Sequence, residues 1–239
     1  GGFGPLSHVD WRGKSVCVVF FRGCPVKCWY CHNHSILTGE DRRPIEEIKE
    51  LIRSSSLLIS AVIFSGGEAT MQPSALLSLA EYSKSIGLLT GLQTNGVYPD
   101  VIRRLIDRRL IDHIALDIKA EWNLYTVRGK ERAVGRQVKE SLTLCTRARQ
   151  AGTLPDFEVV VTLFPGYGEE VMMISHDVAP GIDLVLQQGV YQGIRPLDLD
   201  NLKEIADQLG RKVRIRTRSD GEITYEGNSS SGDARIRKG

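Results

Sequence analysis

Short apolar runs rich in β-branched residues recur along the chain, separated by amphipathic stretches of helical period. The runs predict strands at Ser15–Phe21, Ala61–Ser65, Leu88–Gln93, His113–Ile118, Phe157–Leu163, Asp183–Gln187 and Lys212–Thr217. Val16-Cys17-Val18-Val19-Phe20-Phe21 is apolar without alternation, which suits a strand covered on both faces, as in a parallel sheet. Helices are expected at Pro44–Ser54, with proline at a first helical position, and at Pro73–Ser85, which ends before Gly87. Pro99–Arg108 is another. In Val134–Ala151 the residues Val134, Val138, Leu142 and Cys145 form one apolar stripe, and Gly152 is placed to cap it. Leu197–Leu209 is closed by Gly210, and Glu169–His176 carries a fainter helical pattern.

Strand–helix alternation along the whole chain predicts βαβ units and an α/β fold with a mainly parallel sheet. The expected architecture is a partial parallel (βα)6 TIM-like barrel; an open doubly wound sheet is the alternative that periodicity leaves standing. One domain is expected over 6–217, followed by a C-terminal extension, 218–239, whose serine-rich end is expected to be mobile. The opening Gly1-Gly2-Phe3-Gly4-Pro5 lacks Met and reads as partly a cloning remnant.

Composition narrows the class. Of 239 residues, 41% are hydrophobic and 25% charged, the balance of a globular protein rather than a disordered or fibrous one. Lys and Arg number 31 against 29 Asp and Glu, so charge does not demand a nucleic-acid or acidic-membrane partner. No apolar run approaches the ~20 residues that span a bilayer. A cytoplasmic location is the default expectation.

The cysteines carry the chemistry. There are five, and Cys24, Cys28 and Cys31 lie in one segment, Phe21-Arg22-Gly23-Cys24-Pro25-Val26-Lys27-Cys28-Trp29-Tyr30-Cys31-His32-Asn33. It follows the first predicted parallel strand, at the strand end where α/β proteins place their sites. Three readings fit the C-x3-C-x2-C spacing: buried structural cysteines, a zinc site completed by His32 or His34, or an iron–sulfur cluster with one iron left open. Cys17 and Cys145 fall on apolar faces and read as core.

This spacing, with an aromatic residue before the last cysteine, resembles the radical S-adenosylmethionine (SAM) superfamily. The string Cys28-Trp29-Tyr30-Cys31-His32-Asn33 is similar to that of the glycyl-radical-enzyme activases, and Leu6-Ser7-His8-Val9-Asp10-Trp11-Arg12-Gly13-Lys14 is similar to the lead-in of archaeal-type anaerobic ribonucleotide reductase activases. The resemblance runs from about Leu6 to Thr217. It implies that Cys24, Cys28 and Cys31 hold a [4Fe–4S] cluster whose fourth iron binds SAM. One electron then cleaves SAM to methionine and a 5′-deoxyadenosyl radical, which abstracts a hydrogen atom. Tyr30 belongs to the same motif as a cofactor-binding candidate.

Other strand ends supply further candidates. Gly66-Gly67-Glu68 matches a family triplet in which the carboxylate accepts from the SAM ammonium. Thr94 and Asn95 end the third predicted strand in Gln93-Thr94-Asn95-Gly96, which also reads as a plain turn. The family often has an acidic residue where Gln93 stands, so a monovalent cation site is in doubt. Asp117 and Lys119 share strand parity and could face SAM or pair with each other. Val161 or Thr162 is a candidate adenosine contact, and Gln187 or Gln188 a polar SAM contact. His113 reads as structural. Lys212, Arg214 and Arg216 share one face, read first as a solvated stripe and second as a docking surface.

The resemblance thus implies a radical SAM oxidoreductase that installs a glycyl radical on a partner, with anaerobic ribonucleotide reductase preferred and flavodoxin or ferredoxin as electron donor. Neither nucleic acid nor membrane is expected as a partner. A radical SAM enzyme acting on a small molecule, similar to 7-carboxy-7-deazaguanine synthase, is the runner-up, and a zinc-stabilised binding module is the reading from another class.

Overall fold

The apolar run Val16–Phe21 forms a strand whose alternate side chains meet two different surroundings, and this division holds across the sheet. The computed structural model describes residues 1–38, 42–119 and 134–228. Nine strands form one sheet in sequence order: β1 (Gly2–Ser7), β2 (Val16–Phe21), β3 (Ala61–Gly66), β4 (Leu89–Thr94), β5 (His113–Asp117), β6 (Asp156–Leu163), β7 (Asp183–Gln188), β8 (Val213–Thr217) and β9 (Gly221–Tyr225). Pairings from β2 through β8 are parallel, while β1 and β9 add antiparallel edges. The helices are α1 (Ile45–Ser55), α2 (Pro73–Ser85), α3 (Pro99–Asp107), α4 (Val134–Gln150), α5 (Gly168–Asp177) and α6 (Leu199–Leu209).

Sequential parallel neighbours joined by helices require the sheet to curl as a barrel does. Cys17, Val19, Val62, Phe64, Leu92, Ile114, Leu116, Val159, Val161, Leu184, Leu186, Val213 and Ile215 face outward and share one core with buried residues of the helices. The opposite parity faces a concave interior. There Trp11, from the segment after β1, packs on Val16, Val18, Ala61 and Ile63. It also stacks on His113 at 4.7 Å and donates to Asp156 at 3.1 Å. One indole reaching β2, β3, β5 and β6 is possible only because the sheet curves around it.

Three expectations need correction. Gly2–Ser7 is a strand paired with β2, so the sheet starts ahead of the expected bound at residue 6. Residues 221–225 of the expected extension continue the sheet as β9; the remainder of the expected mobile end, 229–239, lies outside the described residues. The basic face of β8 is not a solvated stripe. Arg214 and Arg216 point inward, because in a curled parallel sheet the face opposite the helices is the barrel interior. Arg214 pairs with the buried Glu158 of β6, and its side chain is only 12% exposed. Arg216 meets Glu222 at 2.7 Å and Glu158 at 3.4 Å. Lys212 alone stays outside, paired with Glu226.

Candidate active site

The strands' C-terminal ends open onto a cavity of about 780 Å³. Cys24, Cys28, Cys31, Tyr30, Gly66, Gly67, Glu68, Gln93, Thr94, Asn95, Asp117, Lys119, Thr162, Gln187 and Gln188 all line it. The fold therefore gathers these candidates from the C-terminal ends of β2 to β7 and the loops that follow them. Val161 is the exception among the weaker candidates: its parity turns it into the outer core.

The cysteine loop is held at its start by backbone contacts. Gly23 N–H donates to Ile36 C=O at 3.1 Å, Gly67 N–H to Phe21 C=O at 2.8 Å, and Glu68 N–H to Gly23 C=O at 2.7 Å. A Cβ on Gly67 would stand 2.0 Å from the Gly23 carbonyl oxygen, and one on Gly66 would stand 2.3 Å from Phe21 backbone atoms. Gly66 also has φ +119°, a region that disfavours any side chain. The glycine pair thus lets β3 lie directly against the cysteine loop. Asn33 closes the bracket by donating to the Gly66 carbonyl at 3.1 Å.

Burial governs the thiols. The Cys24 thiol is pushed up to about 12, by burial first and then by the nearby Glu68 and Cys28. Burial pushes Cys28 up to about 11. Among the described residues no three His, Cys, Asp or Glu side chains already stand in metal-holding geometry, so the three thiols share a cavity wall without being converged. His32 lines the cavity beside them. Cys17 and Cys145 are buried away from it, their thiols raised by burial.

Glu68 is 1% exposed, and its carboxylate is already well supplied with donors. Oε1 accepts from the Thr70 N–H at 3.1 Å, the Thr70 hydroxyl and the Thr94 hydroxyl at 2.8 Å; Oε2 accepts from the Asn95 N–H at 2.8 Å. This ties the β3 turn to the end of β4 and leaves the carboxylate little capacity for another donor. Burial still holds the carboxyl above the usual range. Gln93 is likewise engaged: Ser65 donates to its amide oxygen at 2.6 Å, and its nitrogen donates to Asp10 at 3.1 Å.

Asp117 differs. Oδ2 pairs with Lys119, while Oδ1 is buried with no hydrogen-bond partner. The Asp117–Lys119 pair meets the cavity, and a buried carboxylate oxygen left without a donor is an unmet demand that a neighbour or an N–H-bearing ligand can satisfy. Tyr30 lies beside this pair. Its hydroxyl donates to the Lys119 carbonyl at 3.5 Å, the Lys119 ammonium sits 5.8 Å from its ring centre, and its ring leans on Phe164.

Sequence reasoning missed the opposite wall. His8, Arg12, Arg216, Arg218 and Glu222 line the cavity from the lead-in, β8, the following turn and β9. Arg216 donates to the Gln187 amide oxygen at 3.2 Å, and Arg12 reaches Glu222 at 3.7 Å across the gap between lead-in and β9. Parity alone placed Arg216 and Glu222 together, but only had β9 been recognised. Among the described residues no helix is long and apolar enough to cross a membrane.

Comparison with known proteins agrees with this geometry. A protein of Methanocaldococcus jannaschii named as a glycyl-radical enzyme activating enzyme is 37% identical over 142 residues, 59% of this chain and 58% of that protein. The pyruvate formate-lyase-activating enzyme of Clostridium pasteurianum is 32% identical over 112 residues, 43% of this chain and 44% of that one. The chain thus spans about half the length of the curated relatives it matches. The solved structure of TYW1 with a lysine-pyruvate adduct bound superposes with a TM-score of 0.63 at 16% identity, over 89% of this chain and 79% of that one, a likeness of fold. The family model of the radical SAM superfamily matches residues 18–178, from β2 into the end of α5, and the chain belongs to that superfamily.

Proposed function

We propose that this chain is a glycyl-radical-enzyme activase, that Cys24, Cys28 and Cys31 hold its [4Fe–4S] cluster, and that SAM binds along the wall formed by Tyr30, Gly66, Gly67, Glu68, Thr94, Asn95, Asp117, Lys119 and Gln187. Members of the superfamily use that cluster and SAM, and the donor set here fits both. The observation that carries the reading is one cavity lined together by the three cysteines and the Asp117–Lys119 pair. Thiolates suit iron–sulfur ligation, and three of them leave one iron for an outside ligand. The buried Asp117 Oδ1 lacks the donor that an amine would provide.

The residues divide the task. Gly66, Gly67 and Asn33 hold the cysteine loop against β3. Glu68 locks that turn to Thr94 and Asn95 and so fixes the wall rather than reaching freely into it. Asp117 presents the exposed part of its side chain to SAM, with Lys119 balancing its charge. Because burial keeps the Cys24 and Cys28 thiols protonated, loading the cluster must release their protons and draw the three sulfurs together. Held by Cys24, Cys28 and Cys31, the cluster would supply one-electron reduction of SAM and so the hydrogen-atom abstraction from a glycine of the partner. No side chain need act as acid or base in that transfer.

The partner best matched by the lead-in segment is anaerobic ribonucleotide reductase, with reduced flavodoxin or ferredoxin as donor, in the cytoplasm. The test is anaerobic reconstitution of the chain, reduction, and measurement of 5′-deoxyadenosine, followed by electron paramagnetic resonance (EPR) of a mixture with the reductase. Product formation that disappears in Cys24→Ala, Cys28→Ala and Cys31→Ala, together with a glycyl radical signal, is the expected result. An intact, reducible cluster in any of the three variants would sink the ligand assignment. Metabolite-dependent turnover without a protein partner would replace the activase reading with small-molecule chemistry.

A further inference from the structure

Asn95 follows the last residue of β4, and its side chain is fixed from both ends. The Val97 N–H donates to Oδ1 at 3.1 Å, so the oxygen end of the amide is assigned by a group that can only donate. The nitrogen end therefore faces Cys24, and Nδ2 stands 3.4 Å from its Sγ. The backbone N–H of Asn95 donates to Glu68 Oε2, and the backbone N–H of Glu68 donates to the Gly23 carbonyl, one residue before Cys24. Donor and sulfur thus hang from the same bracket. Asn95 is 5% exposed, so water competes little for the sulfur.

We propose that Asn95 is a positioning residue for the cluster, donating an N–H···S hydrogen bond to Cys24 that makes the cluster easier to reduce. The inference rests on the cluster reading above and adds to the place of Asn95 in the SAM wall a role toward sulfur. Adding an electron increases negative charge on the cluster and its thiolates. A fixed N–H dipole aimed at one thiolate stabilises the reduced state more than the oxidised one, and hydrogen bonds to ligand sulfurs are one of the means by which proteins set cluster potentials. Among the described residues, the side-chain hydrogen bond that reaches a sulfur of the cysteine loop is that of Asn95 to Cys24.

The test compares the reconstituted full chain with Asn95→Asp and Asn95→Ala, poised with dithionite at a series of potentials and read by EPR. Asn95→Asp keeps the acceptor for Val97 and loses the donor; Asn95→Ala removes the donor without adding charge. Both are expected to carry wild-type iron and sulfide and to be harder to reduce. The reduction equilibrium should fall about tenfold in Asn95→Ala, which is ~59 mV for one electron, and further in Asn95→Asp. A second measurement needs no variant at Asn95. In an Asn33→Gln background, which removes the other asparagine lining the cavity, the chain is labelled with 15N in its asparagine side chains. Pulsed EPR of the reduced cluster should then show a weak 15N coupling, and this decides the matter if the Asn95 variants fold or load poorly. Wild-type potentials in both variants, or no 15N coupling in a chain with its full cluster, would overturn the inference and leave the cluster reading standing. A wild-type chain that takes up no iron and sulfide would overturn both.

Discussion

On the near wall of the cavity, around the cysteine loop, position is set by backbone. Two glycines let β3 lie against Phe21–Gly23, and Glu68 is spent on N–H groups and hydroxyls of its own fold. On the far wall, position is set by charged side chains. Arg214, Arg216, Glu158 and Glu222 interlock across β6, β8 and β9, and Arg12 joins them from the lead-in. A wall made of backbone contacts has no room for even one added carbon. A wall made of ion pairs tolerates exchange of side chains as long as no buried charge is left alone.

Five substitutions measure this difference. Gly67→Ala should be the most damaging, since its Cβ would meet the Gly23 carbonyl oxygen at 2.0 Å. The neighbouring atom is backbone and cannot rotate aside, so we expect a loss of about 3 kcal/mol or more in thermal or denaturant unfolding, and loss of iron uptake as the loop is pushed out. Wild-type melting and full cluster loading in this variant would show that the near wall is softer than its contacts imply.

Glu68→Ala comes next. It strips the acceptor from the buried Thr70 and Asn95 N–H groups, at about 1–3 kcal/mol for each donor left unpaired. Weakened SAM binding should accompany a lowered melting temperature. Weakened SAM binding at unchanged stability would instead mean that the carboxylate reaches the ligand directly.

Arg214→Met is expected to cost less than the ~3–5 kcal/mol typical of orphaning a buried charge, because Glu158 keeps Arg216. Adding Glu158→Leu should recover most of the loss, which a double-mutant cycle on unfolding free energy would show. No recovery would place the far wall with the near one, as geometry that cannot be exchanged. Arg12→Ala is the smallest change, within ~1 kcal/mol, because its side chain is 58% exposed and the pair is partly solvated. A larger drop would make the link between lead-in and β9 a structural clasp.

The legible parts were those written in local patterns. Apolar or alternating runs announced β2 to β8, helical patterns announced α1 to α6, and the C-x3-C-x2-C spacing announced the chemistry before any contact was visible. β1 and β9 were missed for a common reason. As edge strands they are short, rich in glycine or polar residues and covered on fewer sides, so they lack the apolar run by which an interior strand is read. Missing β9 then hid the partner of Arg216 and turned an interior charge network into an apparent surface stripe.

By itself the sequence determined the order of the elements, the parity of each strand and the residue types available at each strand end, because these depend on neighbours within a few positions. Tertiary structure decided which of those residues spend their hydrogen bonds on the fold and which keep an atom open. Glu68 and Asp117 look alike as acidic residues at the ends of β3 and β5, on either side of β4. Only the curl of the sheet, which brings Thr70, Thr94 and Asn95 onto one carboxylate and leaves Asp117 with Lys119 at one oxygen and no donor at the other, makes the first a brace and the second an unfilled acceptor.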